Sequence, residues 1–350
     1  MLFAVMTWGF AGLARATPDD SSGGAPAVAK PSRAANNAGS SDPAGDQSSP
    51  DSKPPTAPNP PSVAPTTIIT ETTSEPDDHR LASGLALGGI YTGLATWAYF
   101  AWYYNKPNLP AFKVGGDGWF GPTTYAGGED KLGHFWANLT FSRLGTDLLR
   151  KGGWGKLSSS LIASGLTLTF FFFVEVKDGY YYEFSPGDMT GNTLGAALAV
   201  LMSNWPALDD AIDFRVQWFP SKQFRRQLSV NFVEDYSGEA YLLAFKPRSI
   251  QAVREGDWSI RWLQFVNPVI GFDTRDYKPT PLDSDMARPR QELFIGVSLD
   301  LQAAVDEWLG DSRSRSGRIA HSIMHTVFEH ANVPFTSAAL LQDTRYRPLP

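Results

Sequence analysis

Cysteine is absent from all 350 residues. That excludes disulfides, thiolate metal sites, a cysteine nucleophile and a lipid-modified cysteine within this chain. Histidine is scarce, with five residues, so imidazole chemistry rests on few positions. No long basic stripe or aromatic-and-arginine platform occurs, which argues against a nucleic-acid partner. A G-x-S-x-G elbow and a phosphate loop are missing as well. The pairs Gly115-Gly116 and Gly127-Gly128 lack a strand-turn-helix setting and read as turns. Internal repeats are missing too.

Large apolar side chains are almost missing from residues 17–80, which are mostly Pro, Ser, Ala, Thr, Asp and Gly. Such a stretch buries too little surface to offset its ordering entropy, so a disordered linker is expected. Ahead of it, Met1 to Ala16 carries an apolar run closing in Ala14-Arg15-Ala16, the layout of a cleavable secretory signal peptide without the usual positive start. The net charge of -6 is mild.

Beyond Leu81 the chain turns rich in Trp, Tyr, Phe and Leu. Leu81 to Tyr104 has no charged residue and is long enough for a transmembrane helix, with Gly84/Gly88 and Gly89/Gly93 as small-xxx-small pairs and Trp97, Trp102, Tyr103 and Tyr104 at its end. Further helices are predicted over Glu129 to Arg150, Leu157 to about Lys177 and about Asp188 to Asn204, with a shorter amphipathic one near Leu208 to Trp218. Strands are predicted over Gln227 to Phe232, Glu239 to Phe245, Ser259 to Phe272 and Glu292 to Leu301, where β-branched and aromatic residues alternate between Asp, Gly and Pro. A terminal helix follows, Gly317 to Ala331. The expected fold is α+β: a hydrophobic helical domain, 81–220, of about four main helices, then a smaller antiparallel β part with a terminal helix, 221–350. Three nearly uncharged stretches favour membrane embedding.

Short connections make successive helices antiparallel. The second helix then starts where the third finishes and the fourth begins. Asp130 and His134, Glu175 and Asp178, and Asp188 and Asn192 therefore converge on one end of the bundle. Spacings of three or four residues place each pair on one helix face. Carboxylates in this company can orient a histidine, accept protons or hold a cation. His134, Glu175 and Asp188 are the candidate catalytic residues. Two plainer readings compete. Asp188, or Ser185 beside it, is placed to cap the fourth helix, and Asp130 and Glu175 could pair with Lys131 or Lys177 in a purely structural polar layer.

The pattern Asp130-Lys131-x-x-His134-Phe135, Glu175-x-x-Asp178-Gly179 and Ser185-x-x-Asp188-x-x-x-Asn192-x-x-Gly195 resembles the YfiM-type family of periplasmic lipoproteins of unknown function. It is similar, more distantly, to VanZ-like membrane proteins. The core of the resemblance spans about residues 128 to 200. Weaker pieces continue through Asp235-Tyr236-x-Gly238, Trp262 to Phe272, Ser298 to Leu301 and Val333-Pro334. It implies a cell-envelope location, in the periplasm or outer membrane with the inner membrane as the alternative, and no particular reaction. The chain departs from the lipoprotein pattern in having no cysteine to acylate.

His321 and His325, with Glu329 and His330 following, could face a metal from one helix. With the Glu329 carboxylate the two imidazoles could bind zinc, but no Glu follows the first His and no apolar pocket is evident, so exposed helix surface is expected and no metal is assigned. Arg143, Arg150, Lys151 and Lys156 fall at the end opposite the polar cluster, which the positive-inside rule would place in the cytoplasm, against the direction an exported N-terminus requires. No motif names a cofactor or a protein partner; membrane lipid is the expected partner. Two functions follow: an envelope protein whose polar cluster locks the bundle or holds a ligand, or a membrane-associated enzyme on a lipid or cell-wall precursor with His134 as acid/base.

Overall fold

The computed structural model describes residues 79–115, 118–121, 123–227, 232–277, 279 and 289–346, all within one compact unit, Ser74–Pro350. The signal-peptide and linker readings lie outside the described residues, as does most of the strand expected from Gln227 to Phe232, of which Phe232 opens a 3-10 turn.

Four long helices come first. Helix α1 (Arg80–Ala98) runs into a π-helical turn (Tyr99–Tyr103), and α2 (Glu129–Lys151), α3 (Lys156–Tyr181) and α4 (Pro186–Asn204) follow. Ser185 starts α4: its hydroxyl accepts from the Asp188 N–H at 3.1 Å, with Pro186 in the first turn, where its missing donor costs nothing. α2 and α4 lie side by side in the same direction because glycine lets them touch. A Cβ on Gly191 would stand 2.5 Å from the Lys131 carbonyl oxygen, and one on Gly195 would stand 2.1 Å from that of Phe135. The polar core residues of α3, Ser159, Ser160, Ser164 and Thr167, are also small, so its buried face can approach its neighbours closely.

After α5 (Pro206–Ala211) the chain builds a mixed six-stranded sheet. Its strands are β1 (Ile212–Trp218), β2 (Glu239–Phe245), β3 (Val266–Arg275), β4 (Arg290–Leu299), β5 (Ala331–Asn332) and β6 (Ser337–Tyr346), in the order β5-β1-β2-β3-β4-β6. Only β5 is parallel to its neighbour; the other pairs are antiparallel. Three short helices, α6 (Lys222–Gln227), α7 (Gln251–Glu255) and α8 (Trp258–Arg261), fill the connections. α9 (Leu301–Leu309) and α10 (Arg315–His330) separate β4 from β5.

Several sequence expectations are corrected. The helix expected from Leu208 to Trp218 is a short helix followed by β1, because Ile212 to Trp218 zips onto β2 residue by residue from Ile212–Phe245 to Trp218–Glu239. Ser259 to Phe272 is strand only from Val266 onward; Trp258 to Phe265 is helical, started by Asp257, whose carboxylate accepts from the Ser259 N–H. The strand ending at Leu301 stops at Leu299, since Asp300 caps α9 through the Ala303 N–H. Neither α9 nor β6 was anticipated.

The bundle and the sheet share α2. Thr274 of β3 binds the Glu129 carboxylate through its N–H at 3.0 Å, Phe135 packs edge-on against Phe214 with ring centroids 4.8 Å apart, and the Trp136 indole donates to the His330 carbonyl at 2.8 Å. Further along, Arg143 binds Glu329 and Asp209, the latter at 2.8 Å. Arg143 is therefore an internal ion-pair partner and carries no topological signal. From Glu129 to Arg143 the sheet side follows α2 for about 21 Å at the helical rise. Leu139, Ala199 and Met202 make the core where α2 and α4 meet Ile212 and Phe214. A second core, Leu242, Ala244, Val269 and Phe294, lies on the opposite face of the sheet.

Candidate functional site

Helix phase does the positioning. His134 sits one turn into α2, Glu175 near the end of α3, and Asp188 and Asn192 on the first two turns of α4. The structure brings all of them to one end of the bundle. His134 Nδ1 lies 3.6 Å from Glu175 Oε1 and 3.1 Å from Asn192 Oδ1, while Nε2 lies 4.0 Å from Asp188 Oδ2. One potential ligand atom from each of His134, Glu175 and Asp188 falls within 4.8 Å of the others. The imidazole rests edge-on against Phe171.

The surrounding groups divide the work. Lys131 is buried between Asp130 and Asp188, at 3.2 and 3.4 Å, so it neutralises the far side of Asp188. Capping falls to the Ser185 hydroxyl and leaves the Asp188 carboxylate free to face the centre; the Ser185 N–H reaches Glu175 Oε2 at 3.3 Å. Asp178 stands slightly apart, where the π-helical turn presents the Tyr103 hydroxyl to it at 2.8 Å. Lys177 lies 5.6 Å above the Tyr181 ring. Within this centre, three buried polar atoms of the described residues have no hydrogen-bond partner: Glu175 Oε1, Asn192 Nδ2 and Asn138 Oδ1.

Charge is in deficit at this end of the bundle. Among the described residues, Asp130, Glu175, Asp178 and Asp188 face only Lys131 and His134 as cations. Burial raises the Glu175 carboxyl to about 8 against the pull of His134, with Asp188 and Asp178 adding to the rise. Burial and Asp188 bring Asp130 to about 7 despite Lys131 and His134. Asp178 rises to about 6, again chiefly by burial, with the Tyr103 hydrogen bond holding it back. Burial alone would lower the His134 pKa, but Asp188, Glu175 and Asp130 together hold it above its ordinary value. Buried carboxylates outnumbering cations must take up protons or a positively charged guest.

Asn138 and Tyr103 belong to this centre and escaped the sequence reading. Asn138, one turn beyond His134, donates to Asn192 and so pins the amide that meets the imidazole. Its position four residues after His134 is the signal that could have revealed it. Tyr103 carried no comparable signal, since the π-helical turn decides where its hydroxyl points.

The histidines of α10 divide otherwise than expected. His330 is buried and Glu329 is taken by Arg143, whereas His321 and His325 converge on Asp306 of α9. The uncharged stretches divide as well: among the described residues, α3 is the one helix long and apolar enough to cross a membrane.

No curated protein and no solved structure matches the chain. Residues 116–204, the segment holding every residue of this centre except Tyr103, match the model of a family described as predicted periplasmic lipoprotein (DUF2279), and over that segment the chain is similar to proteins of the cell envelope.

Proposed function

We propose that this is a cell-envelope binding protein that rests on a membrane surface and holds a hard divalent cation at His134, Glu175 and Asp188. The observation that carries the reading is Glu175 Oε1, buried without a hydrogen bond and 3.6 Å from His134 Nδ1, in a cluster where ligand atoms of Glu175, His134 and Asp188 fall within 4.8 Å of one another. A buried carboxylate oxygen without a donor is costly unless something positive meets it. Two carboxylates and one imidazole suit a manganese- or magnesium-like ion better than a thiolate-seeking one. His134 would supply the nitrogen ligand, with Asn192 and Asn138 fixing its ring. Binding is favoured over acid/base catalysis because no serine or threonine hydroxyl hydrogen-bonds His134 among the described residues, so the imidazole has no evident nucleophile to activate.

Membrane contact is supported by the outward face of α3. Leu157, Leu161, Ile162, Phe172 and Phe173 are exposed along a stripe without charge from residue 157 to 173, about 24 Å of helix. α1 adds exposed Leu81, Leu85 and Ile90, and the π-helical turn adds Phe100. Exposed Arg80, Arg150, Lys151 and Lys156 gather at the end away from the acidic centre, where anionic headgroups would meet them. The sheet running along α2 argues that the bundle lies on the bilayer and not across it.

Titrating the full chain with Mn2+ and following the free-ion electron spin resonance signal tests the cation. His134→Gln and Glu175→Gln should each weaken binding at least tenfold. Equal Mn2+ affinity in wild type and both variants would remove the reading. Flotation with vesicles containing anionic lipid tests the surface, and the pair Leu85→Glu with Phe173→Glu should abolish co-flotation without altering Mn2+ affinity.

A further inference from the structure

A second cluster of metal-ligating type lies far along the chain, at the joint between α9 and α10. The sequence offers His321 and His325 one helical turn apart, an arrangement that presents two imidazoles on one face but only two ligands. α9 supplies the third. Its Asp300 cap starts the helix so that Asp306 faces α10, and Ser314, accepting from the Gly317 N–H at 2.9 Å, starts α10 five residues after α9 ends. His321 Nε2 lies 2.9 Å and His325 Nδ1 lies 2.7 Å from the same Asp306 oxygen, Oδ1.

We propose that Asp306, His321 and His325 form a zinc site joining α9 to α10. Two imidazole nitrogens and a carboxylate oxygen within 4.8 Å of one another match the donor set of an open, three-protein-ligand zinc centre. A modest spreading of the three atoms would admit the ion, because each of the three side chains is about a third exposed and none is locked in a packed core. The outer ring is built on the carboxylate side. Arg248 holds the other Asp306 oxygen at 2.8 Å. Such a partner orients the carboxylate toward a metal.

Access favours the same assignment. Asp306 and His325 line a cavity of about 440 Å³, together with Arg248, Gln302 and Glu307, which gives an ion a way in to these two ligands. The centre shares no residue with the His134 cluster and stands or falls independently of the Mn2+ reading. Softness separates the two: two imidazoles favour zinc, whereas two carboxylates with one imidazole favour harder ions.

The full chain, purified in chelator and returned to metal-free buffer, is titrated with Zn2+ by calorimetry. The wild type should bind zinc with a step that His321→Gln and His325→Gln each weaken at least tenfold and that His134→Gln leaves in place. Substitution by Co2+ gives a check on the folded wild type alone: X-ray absorption should show two imidazole nitrogens in the first shell. An unchanged zinc step in His321→Gln and His325→Gln, no zinc step in the wild type, or a cobalt shell with fewer than two imidazoles would overturn the proposal.

Discussion

Two buried charged clusters in this protein are built on opposite terms. Below the sheet, Asp213 binds Lys246 at 2.7 Å and Arg215, which also stands 3.7 Å from Asp300. Asp300 in turn accepts from Asn267 at 3.1 Å and caps α9. At the end of the bundle, four carboxylates share one lysine and one histidine, and Glu175 Oε1 has no donor. The first cluster is balanced in charge and holds elements together. The second is left short of positive charge, which is what a site awaiting a guest requires and what a purely structural layer avoids.

The comparison is tested most sharply where the loss is largest. Arg215→Met should destabilise the protein by about 3–5 kcal/mol in urea unfolding, because Asp300 and part of Asp213 lose their buried partner. A loss under about 1 kcal/mol would mean the sheet cluster is no more structural than the other. His134→Leu comes next, at about 2–3 kcal/mol, since Glu175 and Asp188 are left facing an apolar group, whereas His134→Gln keeps a hydrogen-bonding side chain and should cost about 1–2 kcal/mol. Equal costs for the two would show that the carboxylates do not depend on a polar neighbour at that position.

Glu239 offers an intermediate case. It is buried beside Tyr241, whose hydroxyl donates to it at 2.7 Å, and burial pushes its carboxyl up to about 8. The folded state therefore binds this proton more tightly than the unfolded chain, and the associated stability is present below the ordinary carboxylate pKa and lost as pH rises through about 8. Unfolding free energies of Glu239→Gln at about pH 5 and about pH 8 should differ less than those of the wild type. A steeper pH dependence in the variant would reverse the sign assigned to this group. The smallest effect belongs to Glu175→Gln, within about 1 kcal/mol of wild type in metal-free buffer, because burial already favours the neutral carboxyl and Gln keeps an oxygen for the Ser185 N–H. A loss as large as that of Arg215→Met would erase the distinction between the clusters.

The bundle end was legible in the sequence because helices turn spacing into geometry. Residues 130 and 134, 175 and 178, and 188 and 192 each repeat at three or four, and short loops dictate which ends meet. The sheet was harder to read for a physical reason. In β1 the residues that alternate with Phe214 and Val216 are Asp213 and Arg215, both buried, so a rule that seeks polar residues on the solvent side misleads. α9 escaped because its start lies directly after β4, with Asp300 serving as cap within a few residues of a strong strand. Missing α9 also hid the partner of His321 and His325. β6 lacks β-branched residues between Ser337 and Gln342, so its pairing with β4 rests on backbone hydrogen bonds that composition does not announce.

The ion pair between Arg143 and Glu329 has a consequence for how the chain is made. Its two residues stand 186 positions apart. At about 5–20 residues per second, a ribosome would expose Arg143 for roughly 10–40 seconds before Glu329 emerges. Through that interval α2 can coil against α3 and α4, with Asp147 and Asp209 as the counter-charges its guanidinium meets before Glu329. The flank of α2 that Glu329 and the His330 carbonyl cover is thus completed only when the end of the chain arrives.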